Sequence, residues 1–169
     1  MKENIDVTQE GFQIDQDSMQ GMYLTFELAN EGYGLEIRYV IEIIGIQPVT
    51  YVPDMPGHVI GVLNLRGKVI PIIDVRLRFH LASRDYDERT CIIVVNVNEH
   101  SVGLVVDKVN EVVDIPLKEI EPPPATGRGG SQYIQGMGKL GQQVKILLNI
   151  ETLIEDEELE ENIIEVEAV

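Results

Sequence analysis

Short apolar runs rich in β-branched residues recur along the chain. Residues 23–26, 59–63, 69–73 and 102–106 are such runs, and glycine and asparagine punctuate the sequence around them. β-branched residues favour strands, whereas glycine and asparagine favour tight turns. Many short strands separated by turns predict an all-β protein built as a barrel or a sandwich.

The apolar pattern occurs twice. Residues 34–46 align with residues 103–115 at an offset of 69, with five identical positions and three exchanges of isoleucine for valine. Residues 61–75 align with residues 136–150 at an offset of 75. The second copy has the longer connection between its two blocks, rich in proline and glycine, and insertions collect in exposed loops. The sequence therefore predicts an internal duplication.

The duplication predicts two copies of one four- or five-stranded barrel. The first copy is expected over residues 21–83 and the second over residues 88–150. Outside the barrels, we expect a flexible N-terminal segment over residues 1–20, a short C-terminal helix over residues 151–161 and an acidic tail over residues 162–169.

Each copy is predicted to end in a turn of helix. Asp74 and Asn149 occupy equivalent positions at the end of the last strand of each copy. Their side chains can accept hydrogen bonds from the first N–H groups of a helix. Apolar residues four positions apart follow each of them and would form one buried face.

The negative charge is concentrated at the two ends of the chain. Of the formal charge of -16, residues 1–20 carry -4 and residues 151–169 carry -9, which leaves -3 on residues 21–150. A nearly neutral body with acidic ends offers phosphate groups no electrostatic attraction. Nucleic acid and anionic membrane surfaces are therefore not expected as partners.

The chain has one cysteine, Cys91, at the start of an apolar run. It has no cysteine partner within the chain, and we expect a small buried hydrophobic side chain in a reducing compartment. The N-terminus lacks an apolar signal region, and no apolar stretch approaches the roughly 18–20 residues of a membrane helix. These features predict a cytoplasmic protein with no segment inserted in the membrane.

The string from Gly136 to Gly141 matches the G-x-G-x-x-G pattern of dinucleotide-binding loops. That function requires a helix directly after the glycines, whereas residues 144–148 have the pattern of a strand. A glycine-rich hairpin is the favoured interpretation, and a nucleotide-dependent enzyme is the alternative.

Other catalytic and metal-binding signals are missing from the sequence. His58, His80 and His100 share no metal-ligand spacing with one another or with Cys91. The sequence contains no phosphate-binding P-loop, no nucleophile elbow and no zinc-protease helix motif. We therefore predict a protein that is not an enzyme and that uses no cofactor and no metal.

The two copies differ in one hairpin. The first copy has Arg66 beside Gly67, whereas the second has no arginine there. A guanidinium can make a planar, two-pronged contact with a carboxylate, and the candidates are Glu42 on the neighbouring strand and Asp74. A structural ion pair and a contact with a partner protein are both compatible with this arrangement.

Residues 61–79, together with residues 40–43 upstream, closely resemble the CheW-type chemotaxis coupling proteins. The resemblance extends over residues 21–158. It implies two SH3-like, five-stranded β-barrels and no catalysis. It also implies two partners, the regulatory domain of the histidine autokinase CheA and the cytoplasmic tip of methyl-accepting chemoreceptors, which would recruit the protein to receptor arrays at the inner face of the membrane.

The resemblance further implies a partner-binding site in the first copy. Four residues match family positions implicated in docking receptor or kinase, and two others complete the same turn. The expected site residues are Val40, Glu42, Gly61 and Arg66, with Asn64 and Gly67 in the turn. The groove between the barrels would take the helical hairpin of the receptor. The alternative hypothesis is a sensor that binds a small ligand in that groove.

Overall fold

A computed structural model describes residues 19–124 and 132–154, which form eleven strands, two short α-helices and two single-turn 3-10 helices, Ile37–Tyr39 and Leu117–Glu119. The strands are β1 (Met22–Leu28), β2 (Glu31–Glu36), β3 (Val40–Gly45), β4 (Val59–Leu65), β5 (Lys68–Asp74), β6 (Cys91–Val97), β7 (His100–Val106), β8 (Lys108–Asp114), β9 (Ile120–Glu121), β10 (Ile134–Leu140) and β11 (Gln143–Leu148). The helices are α1 (Val75–Arg78) and α2 (Ile150–Ile154).

The strands form two sheets. Sheet A has six strands in the order β8-β1-β2-β11-β10-β9, and sheet B has five in the order β3-β6-β7-β5-β4. Apart from the two-residue strand β9, every strand of one sheet has a repeat equivalent in the other, in the same order. The predicted all-β, duplicated fold with a short C-terminal helix is confirmed.

The sheets do not follow the predicted division into residues 21–83 and 88–150. Sheet B combines β3, β4 and β5 of the first copy with β6 and β7 of the second, and sheet A combines β1 and β2 with the later strands. The exchange is made by two parallel pairings, in which Gly34 lies beside Leu147 and Ile72 lies beside Gly103. These two pairs are themselves equivalent under the repeat. Each sheet therefore requires strands from both copies.

The apolar core has three parts because the central strands are covered on both faces. The largest part lies between the sheets and includes Phe26 and Leu35 from sheet A and Ile93 and Leu104 from sheet B. A second part lies on the other face of sheet B, where it includes Ile92, and a third lies within sheet A. Strands buried on both faces read as continuous apolar runs, as the sequence shows for β6 and β7.

Both predicted helix caps are present. The Oδ1 atom of Asp74 accepts a hydrogen bond from the Arg76 N–H at 3.0 Å, and Oδ1 of Asn149 accepts one from the Thr152 N–H at 3.2 Å. The described part of α2 begins one residue before the predicted range of 151–161 and ends, at Ile154, where the description of the chain ends. Residues 1–18 of the predicted N-terminal segment and the whole acidic tail lie outside the described residues.

A buried ion pair holds the two sheets together at the crossover from β7 to β8. Asp107 is 9% exposed, and its carboxylate accepts hydrogen bonds from the Arg76 guanidinium at 2.7 and 2.9 Å. The same carboxylate accepts the N–H of Ala29 at 2.9 Å, in the turn between β1 and β2. Arg76 also donates to the carbonyl of Ala82 at 2.6 Å. The pair thus connects α1, the linker between the copies and strand ends of both sheets.

These contacts predict an acid-sensitive contribution to stability. Burial alone would raise the pKa of Asp107, but the hydrogen bonds from Arg76 and Ala29 outweigh it and hold the pKa below its ordinary value. The stabilisation is therefore complete above the unfolded-state pKa of about 3.9 and is lost as the pH falls through the lower folded-state pKa. We expect the urea midpoint to fall from pH 7 to pH 3, and to fall less in Asp107→Asn. An equal fall in both proteins would contradict this prediction.

Candidate functional site

Arg66 and Glu42 form a two-pronged ion pair that joins the β4–β5 hairpin to the edge strand β3. Both terminal nitrogens of the guanidinium donate to the carboxylate, and the Nη2–Oε1 distance is 2.7 Å. The predicted forked contact is therefore present, with Glu42 as the acceptor. Asp74, the other candidate, caps α1 and accepts the hydroxyl of Tyr86 at 2.7 Å.

The ion pair lies at the surface. The side chain of Arg66 is 70% exposed and that of Glu42 is 21% exposed. The hydrogen bond from Arg66 lowers the pKa of Glu42, and the same bond raises the pKa of the guanidinium. Exposed ion pairs add little to stability because water screens them. The pair orients the guanidinium beside β3 and leaves much of it accessible, without adding much to stability.

Asn64 and Gly67 shape the turn that presents Arg66. The Oδ1 atom of Asn64 accepts the N–H of Gly67 at 2.8 Å. Arg66 and Gly67 have φ angles of 52° and 87°, the left-handed conformations that such a tight hairpin turn requires. Glycine adopts these angles without strain, and the asparagine bond stabilises the turn. These two residues thus orient the arginine.

Gly61 lies near the start of β4, away from the ion pair, and serves a packing role. Its φ is 152°, and an added Cβ would lie 2.3 Å from the carbonyl oxygen of Thr50. The same approach lets Thr50 and Val62 exchange two backbone hydrogen bonds of 2.8 Å. Gly61 is therefore the residue that lets the segment after β3 lie against β4.

The outer side of β3 adds an apolar component that the sequence analysis missed. Val40 is half-buried, whereas Ile41 and Ile43 are 52% and 42% exposed on either side of Glu42. Among the described strands, β3 pairs only with β6, so its other edge and these side chains are available for contact, with Ile43 on the face of the sheet opposite Glu42. The signal in the sequence was the alternation of two isoleucines with Glu42.

We define the β3 surface as Val40, Ile41, Glu42, Ile43 and Arg66. A family model described as the CheW-like domain matches residues 22–158, which include all of it. The chain belongs to the CheW family. The resemblance inferred from residues 61–79 is thereby confirmed.

Individual members of the CheW family agree with this assignment. Chemotaxis protein CheW of Klebsiella aerogenes is 41% identical over 138 residues, covering 81% of this chain and 83% of that protein. Chemotaxis protein CheW of Treponema pallidum is 32% identical over 146 residues, covering 83% and 86% of the two chains. The crystal structure of the scaffolding protein TtCheW from Thermoanaerobacter tengcongensis is 34% identical, with a TM-score of 0.75 over 80% of this chain and 93% of that one.

The structure of this CheW-family chain also shows where the other candidate sites from the sequence lie. The string Gly136–Gly141 lies on β10 and in the turn to β11, so the predicted glycine-rich hairpin is confirmed. Among residues 19–124 and 132–154, no three His, Cys, Asp or Glu side chains are grouped to hold a metal ion. Cys91 is half-buried at the edge of the main core, and burial raises the pKa of its thiol. In the same stretches, no helix has the length and apolar character to cross a membrane.

Proposed function

We propose that this chain is a non-catalytic adaptor that couples methyl-accepting chemoreceptors to the histidine kinase CheA. Support comes from the family assignment, from two relatives named as chemotaxis proteins and from a structural neighbour described as a scaffolding protein. The adaptor acts in the cytoplasm, at receptor arrays on the inner face of the membrane. No relative reported above is named as a ligand sensor, and we do not propose that alternative.

One observation supports the assignment of partner contact to particular residues. The β3 surface surrounds a strand edge that no described strand covers, with an accessible guanidinium held by Glu42 on one face and exposed Ile43 on the other, beside exposed Ile41. Arginine and exposed apolar side chains are typical of protein contact sites, and an edge strand can also pair with a partner backbone. We assign Val40, Glu42 and Arg66 to partner contact, and Asn64, Gly61 and Gly67 to shaping the surface.

The adaptor works by holding two partners at once. Sheet A and sheet B present different exposed surfaces, because the repeat equivalents of Ile41 and Arg66 are Asn110 and Gly141. Binding the receptor and the kinase regulatory domain on separate surfaces raises the local concentration of the kinase at the receptor. The kinase is then biased between its active and inactive states by the geometry of the assembly.

Arg66→Glu is expected to weaken assembly while leaving the fold intact. The substitution places a carboxylate opposite Glu42 and removes the guanidinium from the β3 surface. Because the pair lies at the surface and Arg66 is 70% exposed, we expect little change in thermal unfolding followed by circular dichroism. Pull-downs with a receptor cytoplasmic fragment and with the kinase regulatory domain should show reduced retention of at least one of them.

A charge-exchanged double variant separates a structural role from a contact role. Glu42→Arg combined with Arg66→Glu can re-form the ion pair with its polarity reversed. If the pair only stabilises the hairpin, the double variant binds normally and the contact assignment fails. If Arg66 contacts a partner, binding stays weak. The coupling function itself is contradicted if the unaltered protein binds neither the receptor fragment nor the kinase domain.

A further inference from the structure

The ion pair of sheet B has an incomplete counterpart in sheet A. Under the repeat, Glu42 corresponds to Glu111 on β8, and Arg66 corresponds to Gly141 in the β10–β11 turn. Sheet A therefore keeps the carboxylate and lacks the guanidinium. Among the residues that the structure describes, the Glu111 carboxylate has no hydrogen-bond or ion-pair partner.

The two hairpins have the same length but differ in the second central residue of the turn, since Gly67 has a positive φ and its equivalent Gln142 does not. Leu65 pairs with Lys68 across the first turn, and Leu140 pairs with Gln143 across the second. The φ angles of Arg66 and Gly141 are 52° and 64°. The second hairpin thus differs from the first in its turn conformation and in lacking a side chain at the position of Arg66.

A cavity of about 530 Å³ opens beside Glu111, between β8 and the β10–β11 hairpin. Its lining includes three carboxylates and one ammonium group, together with a buried threonine and an exposed valine. These residues are Glu27, Glu31, Glu111, Lys145, Thr25 and Val144. Glu27 lies 3.9 Å from the Nζ atom of Lys108, so Glu31 and Glu111 are the lining carboxylates without an ion pair in the described chain. Their charge favours a cation, and the volume is ample for one side chain.

Hydrogen bonds with the side chain of Thr25 on β1 fix the backbone of Glu111. The hydroxyl of Thr25, which is 1% exposed, donates to the Glu111 carbonyl at 2.7 Å and accepts the Glu111 N–H at 3.2 Å. The two hydrogen bonds fix the backbone of Glu111, so that only its side chain has to be ordered on binding. Lys145 does not neutralise it, because its Nζ lies over Gly32 and makes no ion pair within the described chain.

We propose that this cavity binds the guanidinium of an arginine side chain supplied by a partner protein. The bound arginine takes the place in sheet A that Arg66 occupies in sheet B. A guanidinium suits the site better than an ammonium, because it can make the same two-pronged contact with the Glu111 carboxylate. Sheet A then acquires its ion pair from outside the chain, and the cavity is a docking point separate from the β3 surface.

The test is an NMR titration of the full chain, labelled with ¹⁵N, with N-acetyl-L-arginine amide as the probe. We expect saturable shifts at Thr25, Glu111 and Val144, and about fivefold weaker binding in Glu111→Gln from loss of a charged hydrogen-bond acceptor. Gly141→Arg should abolish binding by filling the site with its own side chain. A Cβ at Gly141 meets nothing within 4 Å; the φ of 64° strains a residue with a side chain, but Arg66 adopts a similar φ of 52°.

The matched control is Glu42→Gln, which alters the equivalent carboxylate of sheet B and should leave the titration unchanged. Shifts confined to other surfaces, or equal affinity in Glu111→Gln, would overturn the proposal. Equal binding of N-acetyl-L-lysine amide would overturn its choice of a guanidinium. None of these outcomes affects the coupling function, which rests on the β3 surface and is read out with the receptor and kinase fragments.

Discussion

Asp107→Ala is expected to destabilise the folded protein by about 3–5 kcal/mol, since it leaves a buried charge without its partner. Arg76 would keep its guanidinium at 12% side-chain exposure without the carboxylate that accepts two of its hydrogen bonds, and the N–H of Ala29 would lose its acceptor. The loss falls where the chain passes from sheet B to sheet A, so both sheets should unfold together. Urea denaturation followed by circular dichroism measures the change.

The repeat supplies a matched control for this prediction. Arg38 occupies the position equivalent to Asp107 in the first copy, but its side chain is 57% exposed and pairs with Glu36. Arg38→Ala should cost at most about 1 kcal/mol, as is usual for a surface ion pair. Similar losses of unfolding free energy in the two variants would show that burial does not determine how much the Asp107–Arg76 pair contributes to stability.

Gly61→Ala is expected to cost about 2–4 kcal/mol, because it adds strain and disrupts a backbone bridge. A Cβ at this residue would overlap the carbonyl oxygen of Thr50, and the segment would have to move away from β4. The two hydrogen bonds between Thr50 and Val62 would then be lost or lengthened. A lower urea midpoint and increased amide exchange at Val62 are the expected observations.

Gly45→Ala is the control for the glycine prediction. Gly45 ends β3 in the same sheet, and a Cβ there would meet nothing within 4 Å. This variant should unfold at nearly the same urea concentration as the unaltered protein. If Gly61→Ala is also as stable as the unaltered protein but binds receptor or kinase poorly, Gly61 contacts a partner directly and our packing assignment is wrong.

Duplication followed by divergence explains why the two ends of the molecule differ. Sheet B closes its hairpin onto β3 with an internal ion pair, and sheet A leaves the equivalent carboxylate open. A second example is the pair Asp107 and Arg76, whose repeat equivalents are Arg38 and Glu151, with the charges exchanged. The two sheets thus offer chemically distinct surfaces.

Local features of the fold could be predicted from the sequence because they depend on neighbouring residues. The strands follow from β-branched runs, and the caps at Asp74 and Asn149 follow from short polar side chains placed before apolar pairs. The hairpin at Gly141 follows from a strand on each side of a glycine turn. The repeat predicted the likeness of the two sheets, and residues 61–79 predicted the family.

The tertiary structure decided which strands and side chains from distant parts of the chain contact one another. The two copies have equivalent strands. A sheet built from one copy alone and a sheet built from strands of both copies would therefore have similar local contacts. The sequence pattern cannot distinguish these two arrangements, and it led us to predict one barrel from each copy. The selection of Glu42 over Asp74, the approach of Thr50 to Gly61 and the burial of Asp107 against Arg76 likewise join residues far apart in the chain. The sequence by itself determined the elements and their likeness, whereas packing between the two copies decided which strands, charges and cavities meet.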